Sequence, residues 1–146
     1  MNEPSYPFSR VDDRFVFEFD SISDTKTVKK LVEFRLLDAQ IALYNLALVD
    51  ILPDGAASDL SVSNNQDMPK VLATVFRALL YFFERNSQAK VLIQGSTKSR
   101  TRLYQMAIVK YLAEVEHKFS IWGFIEEDFE TFVRGKNYDG FIIGQK

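Results

Sequence analysis

Gly95-Ser96-Thr97-Lys98-Ser99-Arg100-Thr101-Arg102 places one glycine, four hydroxyls and three cations in eight consecutive residues. The segment follows a short apolar run and precedes a helical pattern, so its chemistry is that of an anion site at a helix start. Free N–H groups there carry about half a positive charge and attract phosphate or carboxylate. Lys98, Arg100 and Arg102 oppose that dipole, each at a cost of about 0.3–1 kcal/mol when exposed. Something negative must compensate: a bound ligand, or the acids Glu126, Glu127, Asp128 and Glu130 of the same chain. The two sources weigh evenly, because charge runs are usually solvated faces. The segment lacks the second glycine followed by Lys and Ser/Thr that a P-loop requires.

A second basic turn, Arg134-Gly135-Lys136-Asn137-Tyr138, either closes over the same site or is an ordinary surface turn. Asn64-Asn65-Gln66-Asp67 offers amides and a carboxylate near the expected sheet edge, where capping and turn formation also explain it. The expected anion-binding set is therefore Gly95, Ser96, Thr97, Lys98, Ser99, Arg100 and Arg102, with Asn64, Asn65, Lys136 and Asn137 as a rim. His117 is the sole histidine, and its place at a helix end favours capping over catalysis. Tyr104, Tyr111 and Trp122 read as core residues. No catalytic set and no metal site can be assembled from these residue types.

Composition bounds the rest. With 47% hydrophobic residues and 146 positions, the chain reads as one folded, soluble, cytoplasmic domain. The absence of cysteine excludes thiol nucleophiles and thiolate metal sites. A net charge of −2 supplies no general field for nucleic acid or anionic membrane, so anion binding must be local. No apolar run is long enough for a membrane span, and Met1 to Arg14 holds none that would serve as a signal sequence.

The elements that must position the basic turn follow from periodicity. Residues 1–13 read as a polar lead-in and 14–146 as a single α+β domain. Arg14 to Asp20 alternates as a strand with Phe15, Phe17 and Phe19 on one side. Val28 to Leu37 is a second strand, with Val32, Phe34 and Leu36 facing the core. Ile41 to Leu52 is a third, whose near-continuous apolar run implies burial on both faces. After a polar connection holding Leu60 and Val62, Asp67 and Pro69 open a helix that runs to Arg85-Asn86 on Val71, Leu72, Val75, Phe76, Leu79, Leu80 and Phe83. Lys90 to Gln94 is a buried strand. A second helix follows the basic turn with Leu103, Tyr104, Ala107, Ile108, Tyr111, Leu112 and Val115 inward. Phe119 to Ile125 and Tyr138 to Ile143 close the chain as strands, parted by the acidic, aromatic stretch Glu126 to Gly135. The fold class is thus α+β in the order β-β-β-α-β-α-β-β, a mixed and mostly antiparallel sheet with one parallel crossover around the first helix.

Ser63-Asn64-Asn65, Val71-Leu72-Ala73-Thr74-Val75, Gly95 to Tyr104 and Gly135-Lys136-Asn137-Tyr138 resemble a family of small uncharacterised bacterial proteins, over nearly the whole chain from Phe17. The element order is also similar, more distantly, to a truncated GCN5-related N-acetyltransferase. That likeness implies a CoA-type cofactor and places Tyr104 of Leu103-Tyr104 as a general acid. The glycine-bearing pyrophosphate loop of that family has no counterpart in Asn65 to Lys70, which holds no glycine, and Gly123-Phe124 lies far beyond the Leu-Tyr pair.

Three functions compete on these grounds. The favoured one is a non-enzymatic binding or regulatory module that recognises a phosphate-bearing small molecule or a protein partner at the Gly95 turn. Binding to a nucleic-acid backbone would instead show a steep loss of affinity with salt. The second is a divergent N-acyltransferase using Tyr104 and both basic turns. The third is the protein-interaction component of a small operon-encoded pair, meeting its partner through Phe129 and Phe132.

Overall fold

The computed structural model describes residues 4–10, 15–52, 54–55, 57–58, 67–115 and 117–146. Within them lie β1 (Ser9–Arg10), β2 (Val16–Ile22), β3 (Thr27–Asp38), β4 (Leu43–Ile51), β5 (Ala57–Ser58), α1 (Met68–Arg85), β6 (Lys90–Ile93), α2 (Lys98–Val115), β7 (Phe119–Ile125), β8 (Asp128–Thr131) and β9 (Gly140–Gln145). The strands hydrogen-bond in the order β1-β2-β3-β4-β6-β9-β7-β8, with β5 on β4. The class is α+β with a mixed, mostly antiparallel sheet, and β4 runs parallel to β6 from Leu43↔Lys90 to Leu46↔Ile93, as a crossover through α1 requires. By density of contacts the chain forms two compact units, residues 2–35 with 47–85 and residues 36–46 with 86–146.

In the first unit, α1 packs its residues against the inner face of β2 and β3. Phe17, Phe19, Val32 and Phe34 are buried there, and α1 buries Val71 to Phe76, Ala78, Leu79, Phe82 and Phe83. Phe34 and Phe82 stack with ring centroids 4.3 Å apart, and Phe15 meets Phe82 edge-on at 5.1 Å. Each such side chain contributes about 1.5–3 kcal/mol of burial. Lys30 lies in phase with Val32 and Phe34 and therefore points inward; it is only 5% exposed and its ammonium sits 2.5 Å from the carboxylate of Asp50, equally buried. The lead-in is not merely polar cover. Tyr6 is buried, stacked on Phe19 at 5.8 Å, and Ser9–Arg10 pairs with Glu18 and Phe17.

In the second unit, β6 lies between β4 and β9, and β7 continues the sheet from β9. α2 buries Thr101, Tyr104, Gln105, Ile108 and Tyr111, a stripe at spacings of three and four. The stripe is displaced from the purely apolar one expected: Leu103 is half-buried, while Thr101 and Gln105 are inside because both are hydrogen-bonded.

Several expectations are corrected. Leu36, expected in the core, is 53% exposed at the end of β3, and Ile41 is 51% exposed in the turn that follows. β4 is not buried on both faces: Leu46 and Asp50 are buried and its other residues half-buried. Trp122 is half-buried on the face of β7 opposite Ile121. Leu60 and Val62 lie outside the described residues. β8, inside the stretch expected to be a connection, forms a tight hairpin with β7 through Ile125↔Asp128. Its turn takes a positive φ of 55° at Glu126, whose N–H is held by the Asp139 carboxylate at 2.7 Å.

Candidate functional site

The Gly95 turn is built by close approach. A Cβ on Gly95 would lie 2.4 Å from the main-chain nitrogen of Thr101 and 2.6 Å from Cβ of Arg100, so only glycine lets β6 turn this tightly into α2. The Gly95 N–H donates to the Thr101 hydroxyl at 3.0 Å, and that hydroxyl donates to the Thr97 carbonyl at 3.1 Å. Thr97 is the N-cap: its hydroxyl accepts the Arg100 N–H at 3.2 Å, and its carbonyl accepts the first helical bond, from Thr101, at 3.0 Å. Two of the four hydroxyls are thereby committed to the turn itself. Ser96, Lys98 and Ser99 are exposed and Arg100 is half-buried. The first turn of α2 contains no acidic residue.

The second basic turn is tied to the same helix. The Arg102 guanidinium donates to the Tyr138 carbonyl at 2.9 Å, and the Gln105 amide donates to the Lys136 carbonyl at 2.7 Å. Gln105 also accepts the Tyr138 N–H, at 3.4 Å. Tyr138 is 1% exposed, and its ring occupies the space where Gly123 lacks a side chain, 2.4 Å from a Cβ placed there. Its hydroxyl donates to Glu130 at 2.9 Å and accepts the Val133 N–H at 3.0 Å. Lys136 completes the group with an ion pair to Glu130 at 2.6 Å. Those two bonds hold the Glu130 carboxyl below its ordinary value, that from Lys136 being the stronger, and the same contact raises Lys136. Burial, then the bond to Glu130, raises Tyr138. Glu130, one of four acids read as partners for residues 95–102, is thus spent on the turn at 134–138. Gly135 takes a positive φ of 84°, as that turn requires.

Residues 2–146 match the sequence of a family of unknown function, DUF6934. This chain belongs to the DUF6934 family. No curated protein and no solved structure matches it. Among the described residues of this DUF6934 chain, the structure brings together two of the sequence-expected sets: the 95–102 turn and Lys136, with Tyr138, share α2 as their support. Asn137 is exposed beside them. Asn64 and Asn65, the other half of the expected rim, lie outside the described residues.

Tyr104 is 8% exposed and its phenol is pushed up to about 12 by burial, against a lowering by Arg100. It is a core residue of α2, with its hydroxyl withdrawn from solvent. His117 is exposed just beyond α2. Among the described residues no group of three His, Asp or Glu side chains is arranged to hold a metal ion, and no helix is long and apolar enough to cross a membrane.

Sequence reasoning missed a second polar constellation in this DUF6934 chain. The Tyr6 hydroxyl donates to Asp67 at 2.5 Å, Ser21 donates to the same oxygen at 2.6 Å, and the Ile22 N–H donates to Tyr6 at 3.1 Å. The Tyr6 N–H donates to Thr74 at 2.8 Å, and the Lys70 ammonium lies 4.2 Å from its ring centre. Burial, then the bond to Asp67, raises the Tyr6 phenol. Asp67 does start α1 as expected, its carbonyl accepting Val71, but its carboxylate serves Tyr6 and Ser21. The available signal was the aromatic pair Tyr6 and Phe8 on either side of Pro7.

Proposed function

We propose that the protein is a non-enzymatic binding module that holds an anionic, phosphate-bearing group over the start of α2. The observation that carries this reading is an imbalance of charge. Lys98 and Arg102 open α2 with no acidic residue in its first turn, while Glu130 is committed to Lys136 and Tyr138. Arg102 is a positioning residue, because it fixes the 134–138 turn. Lys98, the exposed Ser99 and the adjoining helix N–H groups are the contacts for the anion, with Asn137 on the rim. Burial of Tyr104 favours the binding reading over acyl transfer, since a proton donor must reach its substrate.

Calorimetric titration with pyrophosphate tests the proposal. Lys98→Glu combined with Arg100→Glu is expected to lower affinity at least about tenfold, about 1.4 kcal/mol. Binding unchanged in that variant, or absent from the wild type at millimolar pyrophosphate, would refute it. A protein-contact role is the second reading, favoured by Phe129, which is 57% exposed on the edge strand β8. Phe129→Ser should then abolish association without lowering the melting temperature.

A further inference from the structure

The described residues cover the outer edge of β2 only in part. Its odd-numbered residues bond to β3, as the flanking bonds from Phe34 N–H to the Phe15 carbonyl and from Ser23 N–H to the Lys26 carbonyl show, both at 2.9 Å. The main-chain groups of Glu18, Asp20 and Ile22 therefore point to the other side, by the alternation of a strand. There β1 pairs only with Phe17 and Glu18. Before Ser9 the chain leaves the sheet and descends to α1, where the Tyr6 N–H meets Thr74. Among the described residues only the Tyr6 hydroxyl reaches back, standing in for a strand carbonyl at the Ile22 N–H. An open groove of about 380 Å³ results, lined by Tyr6, Phe8, Glu18, Phe19, Asp20 and Ile22 among others.

We propose that this open length of β2 docks an extended peptide strand from another protein, one carrying a basic side chain between two apolar ones. Main-chain bonds to Asp20 would supply the pairing, and the alternation of the pleat sets the side chains. A residue opposite Asp20 shares the face of Glu18 and Asp20, two carboxylates against the single ammonium of Lys29, which stands across from Asp20 on β3. Charge complementarity there selects Lys or Arg. The neighbouring residues of the incoming strand turn to the opposite face, toward the exposed Pro7 and the half-buried ring of Phe8, and so must be apolar. This surface shares no residue with the start of α2 and does not depend on the binding proposed there.

Two blocked pentapeptides, Val-Lys-Val-Lys-Val and Val-Glu-Val-Glu-Val, provide the test, read by amide shifts and hydrogen exchange of the full chain. The lysine peptide should move the Asp20 and Ile22 amides and slow exchange at Asp20; the glutamate peptide should do so about fivefold more weakly. Asp20→Lys should reverse that preference. Asp20→Pro, which removes the outward N–H at an edge position where proline is tolerated, should abolish binding. No response at Asp20, or an equal response to both peptides, would overturn the proposal. So would an Asp20 amide already protected in a concentration-dependent way, since a second copy of the chain would then occupy the edge. Should Asp20→Pro fail to fold, the reversal in Asp20→Lys still decides.

Discussion

Each unit holds a lysine–carboxylate contact of nearly the same length, and the two have opposite surroundings. Lys30 and Asp50 meet with side chains 6% and 7% exposed, whereas Lys136 and Glu130 meet with side chains 45% and 41% exposed. The first pair follows from phase: each residue stands on the core-facing side of its strand, and neither charge can be left inside alone. The second pair is wet, and its effect is local, to fix a turn whose backbone is already held by Arg102 and Gln105. The difference teaches that similar chemistry is a condition of folding in one place and an adjustment of a surface in the other.

The largest effect should come from splitting the buried pair. Lys30→Met or Asp50→Leu alone is expected to cost about 3–5 kcal/mol in denaturant unfolding, because the partner charge stays buried. The double variant should recover most of that loss, since a well-packed apolar pair of similar volume is often neutral. Equal, small losses in all three would mean that the pair is effectively hydrated and the contrast false.

Gly123→Ala comes next, at about 1–3 kcal/mol, because the added methyl meets the ring of Tyr138 at 2.4 Å. It should disturb the 134–138 turn, visible as shifts at Glu130 and Lys136, and leave the first unit unchanged. Tyr6→Phe is expected to cost about 1–3 kcal/mol, since the Ile22 N–H and the Asp67 carboxylate both lose a partner.

The smallest effect belongs to the exposed pair. Glu130 is held below its ordinary carboxyl value, so what it contributes is present above that value and is lost as the pH falls through the lower, folded one. Lys136 is raised, so its contribution is present below its ordinary value and is lost as the pH rises through the folded one. Glu130→Gln should therefore flatten the acid limb of a stability–pH profile, with little change at neutrality and less again in high salt.

The long elements were legible because their signals were redundant. α1 carried an N-cap, a proline in its first turn and an apolar stripe, and β4, α1 and β6 implied the parallel pair that is observed. β1, two residues long, was too short for a period to show, and β8 lacked the unbroken apolar run that marked β6. In β8 the strand formers Phe129 and Thr131 were masked by the acids around them. The buried pair was in principle readable, as Lys30 interrupts the phase of Val32 and Phe34 and Asp50 that of Leu46. What hid it is that a partner twenty residues away shows only once the strands are placed side by side. At the start of α2 the cations were plain in the sequence. The commitment of Thr97 and Thr101 to the turn, and of Arg102 to the Tyr138 carbonyl, was not, since each depends on how closely β6 and residues 134–138 approach the helix.

The most direct measurement is an amide-shift map of the protein during titration with pyrophosphate. Binding at the start of α2 should give saturable shifts concentrated at residues 96–100, with smaller ones at 136–138 carried through Arg102 and Gln105. Shifts scattered over the exposed lysines of both units, or none at 96–100, would contradict the account.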